Sequence, residues 1–539
     1  MKTAYYNAIV YTGSLPTAQA FVVDGDRFIF AGSNTDALAL LQPGDKQQDL
    51  SGAFVCPGFI DSHMHVLNFG QALCAAPLHL HTRSLEDMLQ CLKDHRHSAL
   101  RGNWLLGRGW NQDLFTDIHR MPTRYDLDTV ATDIPICAVR ACGHALVLNS
   151  FALKLLGITA ETPQPDGGQI VLENGEPNGI LFDNAMDMVY AAIPAPSKEE
   201  LKAMLRAACA ALNAYGVTSC HSDDYCVFAN VPWQQINQAF QELEEAGELT
   251  VRVYEQCNFT NLDDLAGFIT AGNRTGHGTD YFRIGPLKML GDGALGARTA
   301  YLTQPYADDS STRGLSVFTQ EAFDEMIGFA NANSMQVAVH TIGDACLDMV
   351  LSSIRKALAD HHRKDHRHGI VHCQITRADQ LKALAELGLH IYAQSIFLDY
   401  DIRIVEQRVG HNLAQTSYSW KTLMESGCSV SNGTDCPVEL PNAMGGIQCA
   451  VTRSALDGTG PYLRNEAFTV QEAIDSYTAT GAYASFEENV KGKIHPGMLA
   501  DFVVLGANPF TVAPEHINDI PILATYIGGR QVFSATQNN

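Results

Sequence analysis

The chain has 539 residues, of which 46% are hydrophobic and 18% are charged, a balance typical of globular proteins and not of disordered ones. Its formal net charge of −23 at pH 7 repels phosphate backbones and anionic lipids, so we expect neither nucleic-acid nor membrane partners. No apolar run approaches the roughly 20 residues that span a bilayer, and the first residues lack a signal-peptide pattern. The 14 cysteines contain no C-x-x-C pair and are typical of free thiols, so we expect a cytoplasmic protein.

Short apolar runs separated by turn residues occupy both ends of the chain. Residues 21–23 and 28–30 flank Asp24-Gly25-Asp26, and residues 524–527 and 531–533 flank Gly528-Gly529. Turn glycines between such runs predict β-hairpins. Neither end has enough strands to bury a sheet alone. We therefore predict one small β-sandwich built from both termini, residues 1–58 plus 489–539.

Between the two ends, short apolar strands alternate with helical patterns, which predicts an α/β fold with a TIM-type (β/α)8 barrel over residues 59–488. Nine candidate strands compete for eight positions; they end near His65, Arg140, His221, Cys257, Lys288, His340, His372, Ser395 and Asp435. The segment from about 70 to 195 is rich in loops, so we assign the strand at 134–140 to an insertion after the first barrel strand, able to act as a lid. A capping box at Ser197 and Glu200 then predicts a helix that continues through Leu212.

The first barrel strand runs into two histidines, His63 and His65. Side chains spaced i, i+2 on a strand share one face, so both imidazoles can reach one metal ion. The same spacing recurs at 79–81, 95–97 and 366–368, so it is a weak signal alone. We interpret the first of these three as part of a strand in the insertion, and the other two as solvated because they lie among Lys, Arg and Asp.

Three other predicted strands end in groups that can bind metal, namely His340, His372 and Asp435. Taken singly, each histidine has an ordinary interpretation as a core residue, and the aspartate as a cap. Four histidines and one aspartate at the carboxyl ends of barrel strands point instead to one shared site, because these ends meet at one face of the barrel. Imidazole and carboxylate ligands suit zinc, manganese, iron or nickel.

Lys288 closes another predicted strand and is the exception in this set. A cationic lysine beside metal ions would be strongly repelled, so it must be neutral, point away or be chemically converted. The plain alternative is a surface lysine paired with Asp292.

The ordered set His63, His65, Lys288, His340, His372 and Asp435 resembles the ligand set of the amidohydrolase superfamily. The segments 57–61 (PGFID) and 495–504 (HPGMLADFVV) resemble the same superfamily. More narrowly, the segments 107–112 (GRGWNQ), Gly143-His144 with Asn149, 292–298 (DGALGAR) and 340–344 (HTIGD) are similar to the branch that includes the N-substituted formamide deformylases.

The resemblance implies that Lys288 is carboxylated by CO2 to a bridging carbamate between two divalent ions, for which we expect zinc. It assigns His63, His65 and Asp435 to one ion and His340 and His372 to the other. Two ions activate a bridging water that attacks the C–N bond of a small amide- or formamide-like substrate, with Asp435 as general base and acid. The resemblance is also compatible with a homodimer.

Four residues are candidates for substrate contacts, each with a plainer alternative. Trp110 and His144 lie in the insertion, and Trp110 can equally be a core residue. Arg298 can bind a substrate carboxylate or form an ion pair. His221, at a strand end, can approach the site or support a ligand from behind.

Two other functions remain open. The first is a mononuclear amidohydrolase-type deaminase or esterase, against which Lys288 argues because a single ion needs no bridging carbamate. The second is a non-catalytic barrel that serves as a scaffold or regulator, against which the complete ligand set argues.

Overall fold

The computed structural model describes residues 1–228 and 230–535. The chain divides into two compact units, the first comprising Met1–Val66, Cys209–Cys226 and Leu243–Asn539, the second Leu67–Ala208 and Val227–Glu242. Among the described residues, no helix has both the length and the apolar character needed to cross a membrane.

Helices and strands alternate along most of the chain. The first stretch contains β1 (Lys2–Tyr6), β2 (Ile9–Val10), β3 (Ala20–Asp24), β4 (Arg27–Gly32), α1 (Asn34–Ala39), β5 (Lys46–Asp49), β6 (Phe54–Pro57) and β7 (Phe59–Met64). Next come α2 (Val66–Leu73), β8 (Ala76–Pro77), α3 (Leu85–Asp94), β9 (Leu100–Arg101), β10 (Trp104–Trp110), α4 (Arg124–Asp128), β11 (Ile136–Arg140), β12 (Ala145–Leu148), α5 (Ser150–Leu156), β13 (Gly168–Glu173), β14 (Glu176–Asp183), α6 (Asp187–Tyr190) and α7 (Lys198–Ala214).

The chain continues with β15 (Val217–Ser222), α8 (Trp233–Glu245), β16 (Arg252–Asn258), α9 (Leu262–Thr270), β17 (Phe282–Leu290), α10 (Gln320–Ala332), β18 (Val337–Thr341), α11 (Asp344–Asp360), β19 (Gly369–His372), α12 (Ala378–Glu386) and β20 (His390–Ala393). The last stretch contains α13 (Leu398–Asp401), α14 (Val405–Ala414), α15 (Trp420–Glu425), β21 (Ser429–Asn432), α16 (Ala443–Thr452), α17 (Val470–Ser476), α18 (Ala479–Ala484), β22 (Phe502–Leu505), β23 (Ile522–Ile527) and β24 (Arg530–Ser534).

Eight parallel strands of the first unit form one sheet in the order β7-β15-β16-β17-β18-β19-β20-β21. Hydrogen bonds bring its two outer strands together: Ser431 Oγ donates to Ser62 Oγ (2.8 Å), and the Asp435 amide donates to the His63 carbonyl (2.8 Å). The sheet is therefore a nearly closed parallel barrel, consistent with the predicted TIM-type fold.

The strand Ile136–Arg140 lies in another sheet, which belongs to the second unit and has the order β13-β14-β12-β11-β10-β8, with β9 paired to β10. The predicted helix start after residue 197 is confirmed. The Ser197 amide donates to Glu200 Oε2 (2.7 Å), and the Glu200 amide donates to Ser197 Oγ (3.3 Å), which together make the capping box that begins α7.

Both ends of the chain contribute to a five-stranded sheet with the order β2-β6-β22-β23-β24, while β4-β3-β1-β5 form a four-stranded sheet. The Phe502 ring packs 5.1 Å from Tyr5 and 4.3 Å from Tyr526, so aromatic rings of the two sheets share one hydrophobic core. The boundaries of the composite domain at residues 58 and 489 stay a prediction.

Two expectations about histidine pairs are wrong. His79-Leu80-His81 is not a strand: Leu78–Leu80 form one short 3-10 turn after Pro77, which fixes the backbone and lacks an amide donor. His366 and His368 are buried, not solvated. The charge of Arg367 between them is compensated by Asp365 and Glu488, which allows this basic segment to pack inside.

Candidate metal centre

The barrel brings the six predicted ligands to the carboxyl ends of its strands. Because parallel strands point the same way, these ends share one face of the barrel. His63 lies in β7, Lys288 in β17, His340 in β18 and His372 at the end of β19. His65 directly follows β7, and Asp435 is the third residue after β21. Lys288, His63 and His372 are 0%, 1% and 2% exposed, so their polar atoms need partners inside the protein.

The Asp435 carboxylate joins the two histidines of the H-x-H motif. Its Oδ1 lies 3.0 Å from His65 Nε2 and 3.4 Å from His63 Nε2. The backbone of Asp435 adopts φ +58°, a conformation that costs a non-glycine residue energy. Its amide hydrogen bond to the His63 carbonyl (2.8 Å) helps to hold this conformation and aims the carboxylate at the imidazoles.

His372 links this group to His340. The His372 ring centroid lies 5.5 Å from that of His63 and 4.5 Å from that of His340. Candidate ligand atoms of His63, His372 and Asp435 lie within 4.8 Å of one another, close enough to hold one ion. His372 also has a positive φ (+73°), and Trp420 Nε1 donates to its carbonyl (3.0 Å). The five imidazole and carboxylate groups therefore form one continuous cluster.

Hydrogen bonds to neutral acceptors define which nitrogen of two histidines faces the cluster. His63 Nδ1 lies 2.7 Å from Gln256 Oε1, and His372 Nδ1 lies 2.8 Å from Gln394 Oε1. A carboxamide oxygen only accepts, so both Nδ1 atoms carry the hydrogen. The Nε2 lone pair of each ring is then free to bind a metal ion.

The other two histidines are oriented by backbone carbonyls. His65 Nδ1 donates to the Asp223 carbonyl (3.0 Å), and His65 Nε2, the candidate ligand atom, donates to Asp435 Oδ1 (3.0 Å). His340 is turned the other way, because its Nε2 donates to the Gly293 carbonyl (3.2 Å) and lies 3.4 Å from Asp292 Oδ1. Its Nδ1 is therefore the candidate ligand atom. Such partners on the remote nitrogen are a regular feature of histidine metal sites.

The protonation states of His63, His372 and Asp435 suit metal binding, whereas Asp435 raises the pKa of His65 to about 9 against the effect of burial, so His65 must lose a proton to bind an ion. Burial, reinforced by the positive charge of Lys288, holds the pKa values of His63 and His372 well below the usual range, so both imidazoles are neutral. Burial raises the pKa of Asp435, but its hydrogen bond from His65 and the nearby histidines outweigh burial and hold the pKa below its usual range. Asp435 is thus a carboxylate near neutral pH.

Lys288 is fully buried, and its Nζ lies 3.2 Å from Asp223 Oδ2. Asn258 Nδ2 donates to the same oxygen (3.2 Å). The alternative of a surface lysine paired with Asp292 is therefore wrong. The Asp292 carboxylate instead accepts backbone amides of the chain after β18 and of residue 301, and so fixes those loops beside His340.

The candidate substrate contacts lie in different surroundings. In the second unit, Trp110 is buried in a hydrophobic core and donates its Nε1 hydrogen to the Ala138 carbonyl (2.9 Å), whereas His144 is exposed and pairs with Asp183 (3.0 Å). In the first unit, Arg298 forms an ion pair with Asp308 (2.8 Å). Their roles in substrate binding stay predictions.

His221, the fourth candidate, lies inside the barrel. Its ring packs against Tyr254 and Tyr392, at centroid distances of 5.1 and 6.1 Å. Burial lowers the pKa of His221 to about 3, so the ring is neutral. These contacts are those of a residue in the barrel core.

Sequence reasoning missed Gln256, Gln394 and Asp223, which contact the predicted ligands. No motif marks them. The sequence signal that could have found Gln256 is its place, beside Glu255, in strand β16, which is buried along its whole length. A buried polar residue of this kind needs a specific hydrogen-bond partner.

Comparisons with known proteins give the family. Residues 46–533 match the model of the amidohydrolase family. The chain belongs to the amidohydrolase family.

Two curated relatives and one solved structure support this membership. This amidohydrolase is 34% identical over 501 residues to YtcJ of Bacillus subtilis (strain 168), which is provisionally named an amidohydrolase, with 91% of each chain covered. It is 25% identical to the N-substituted formamide deformylase of Arthrobacter pascens, over 95% of this chain and 94% of that protein. The structure of an uncharacterized metal-dependent hydrolase from Pyrococcus furiosus superposes with a TM-score of 0.78 at 28% identity, covering 95% of this chain and 100% of that one.

Proposed function

We propose that this amidohydrolase cleaves a C–N bond of a small amide- or formamide-like substrate at a centre of two divalent ions, with zinc as the expected metal. The observation that carries the proposal is the convergence of four imidazoles and one carboxylate, with buried Lys288 nearby, at one end of the barrel. The similarity to a formamide deformylase favours this bond class.

The residues fit such a centre. Three histidines present Nε2 and one presents Nδ1, and each ring is oriented by an acceptor on its remote nitrogen. Imidazole nitrogens are among the donors that zinc prefers. His63, His65 and Asp435 would hold one ion, and His340 and His372 the other. Lys288 fits as a ligand only as a carbamate, since an ammonium group would repel both ions.

Two divalent ions supply Lewis acidity that polarises the substrate carbonyl and makes water a stronger acid. Asp435 is placed to move the proton. As an ionised carboxylate in contact with two ligand histidines, it would accept a proton from the attacking water and pass it to the leaving nitrogen. The amide is thereby converted to a carboxylic acid and an amine, with atoms and protons balanced.

One observation favours a second candidate, a single-metal deaminase or esterase. Lys288 is paired with Asp223 as an unmodified ammonium group would be. In that case one ion would be held without a bridging carbamate. Metal stoichiometry distinguishes the two candidates, because two ions per chain support the first and one ion supports the second.

The test is a screen of zinc-loaded protein over formamides, N-acyl amines, lactams, ureas and esters, with metal content measured in parallel. We expect cleavage of a C–N substrate, and we expect Asp435→Asn to lower kcat about 100- to 10,000-fold while metal remains bound. Exposed Asp519→Asn serves as the matched control with unchanged activity. Loss of metal from Asp435→Asn would contradict a mainly proton-transfer role, and cleavage of esters alone would contradict the bond class.

A further inference from the structure

Two buried glutamines contact ligand histidines of the proposed metal centre. Gln256 lies in β16, and Gln394 directly follows β20. Both side chains are 0% exposed. A buried carboxamide offers two donors and an acceptor, so each must be satisfied by particular partners.

The orientation of each carboxamide is fixed by its nitrogen. Gln256 Nε2 donates to the Ser62 carbonyl (3.4 Å), and Gln394 Nε2 donates to the Tyr392 carbonyl (2.9 Å). A flipped amide would place its oxygen against these carbonyl oxygens, which cannot donate. In both glutamines Oε1 therefore faces the imidazole.

The fixed oxygen selects one tautomer of the imidazole. Gln256 Oε1 accepts from His63 Nδ1 (2.7 Å), and Gln394 Oε1 accepts from His372 Nδ1 (2.8 Å). A neutral imidazole carries one ring hydrogen, so a hydrogen on Nδ1 excludes one on Nε2. Without the acceptor, the ring could place its hydrogen on Nε2 and lose the lone pair that binds metal.

We propose that Gln256 and Gln394 are positioning residues of the metal centre, which hold His63 and His372 in the tautomer and ring orientation that present Nε2 to the metal and thereby set metal affinity. This inference rests on the proposed metal centre. It assigns the same task to two residues that are 138 positions apart in the chain and have the same pair of contacts, one backbone carbonyl and one histidine Nδ1.

The experiment replaces each glutamine by methionine, which has a similar length but neither accepts strongly nor donates. Gln256→Met and Gln394→Met are compared with Gln448→Met, a buried glutamine in α16 whose oxygen accepts from the Asn518 amide. Zinc affinity is measured by competition with a chromogenic chelator. We expect about 10- to 100-fold weaker binding in the first two variants and wild-type binding in the third.

A second measurement reports on the tautomer itself. Nitrogen-15 spectra of histidine-labelled, metal-free protein distinguish Nδ1–H from Nε2–H rings, and His63→Gln and His372→Gln assign the two signals. We expect Nδ1–H signals in the wild type and a mixture of tautomers for the affected ring in each methionine variant. A loss of packing alone would leave the tautomer unchanged.

The outcomes separate the two proposals. Methionine variants that bind zinc as the wild type does and keep Nδ1–H rings would overturn the role of the glutamines. If a methionine variant fails to fold, Gln256→Glu or Gln394→Glu replaces it, since glutamate keeps an oxygen against Nδ1; loss of the Nδ1–H signal there would also overturn the role. If wild-type protein binds no divalent ion, the proposed function fails, while the tautomer spectra still test the glutamines.

Discussion

Replacing Asp435 by asparagine should reverse the direction of the pKa perturbation of His65 in the metal-free protein. Burial alone lowers the pKa of His65, but the hydrogen bond and charge of Asp435 raise it to about 9 from an ordinary value of 6.5. The charge of Asp223 adds to the increase, and that of Lys288 opposes it. With Asp435 neutralised, burial is the largest remaining influence, so we expect the pKa of His65 to fall to 6.5 or below.

The expected size of this effect follows from these values. The difference between 9 and 6.5 corresponds to about 3 kcal/mol in favour of the protonated ring. Because folding raises this pKa, the protonated ring stabilises the metal-free protein fully below pH 6.5, and that stabilisation is lost as the pH rises towards 9. The Asp435→Asn protein should lack this decline in stability.

The assay is a nitrogen-15 titration of histidine-labelled, metal-free protein from pH 5 to 10, with His65→Gln to assign the signal. His65 should titrate near 9 in the wild type and at or below 6.5 in Asp435→Asn. A His65 signal that still titrates near 9 in the variant would refute the assignment of Asp435 as the partner that controls this imidazole.

Three other predictions concern metal and stability. Lys288→Met should lower bound zinc from two ions to at most one per chain, measured by elemental analysis, and should reduce activity at least 100-fold. Lys364→Met, at an exposed lysine, is the control. Removal of metal by a chelator should abolish hydrolysis, and added zinc should restore it; hydrolysis by metal-free protein would contradict a metal-dependent mechanism. Asp501→Asn should lower the free energy of unfolding, measured by urea titration, by about 3–5 kcal/mol. The reason is that the buried guanidinium of Arg252 loses its bidentate carboxylate partner (2.7 and 3.0 Å). Exposed Asp519→Asn is the control and should change this free energy by less than about 0.5 kcal/mol.

The sequence was sufficient to predict the barrel because its strands are short apolar runs that end in recognisable polar groups. His340 and His372 each close such a run, and the structure places both at strand ends. Periodicity could not reveal the partners of these ligands. Gln256 contacts His63 across 193 positions, and Asp223 contacts Lys288 across 65. Both contacts depend on how different barrel strands pack together and not on local pattern.

The basic residues around His366 and His368 also led to the wrong prediction that these histidines are solvated. A basic run is usually solvated, yet Arg367 is buried because Glu488, 121 residues away, supplies a compensating carboxylate. The error has the same physical origin as the missed glutamines. A buried polar group is stable only with a partner, and that partner is often distant in sequence.

The backbone at the candidate metal centre is strained, which lowers the stability of the folded protein. His372, Cys373 and Asp435 all adopt positive φ, which costs about 1–3 kcal/mol for each such residue. Hydrogen bonds from Trp420 to the His372 carbonyl and from the Asp435 amide to the His63 carbonyl hold two of these residues in place. Strained backbone thus occurs at two of the points where the chain leaves a barrel strand beside the predicted ligands. The hydrogen bonds and packing of the rest of the barrel offset this energetic cost.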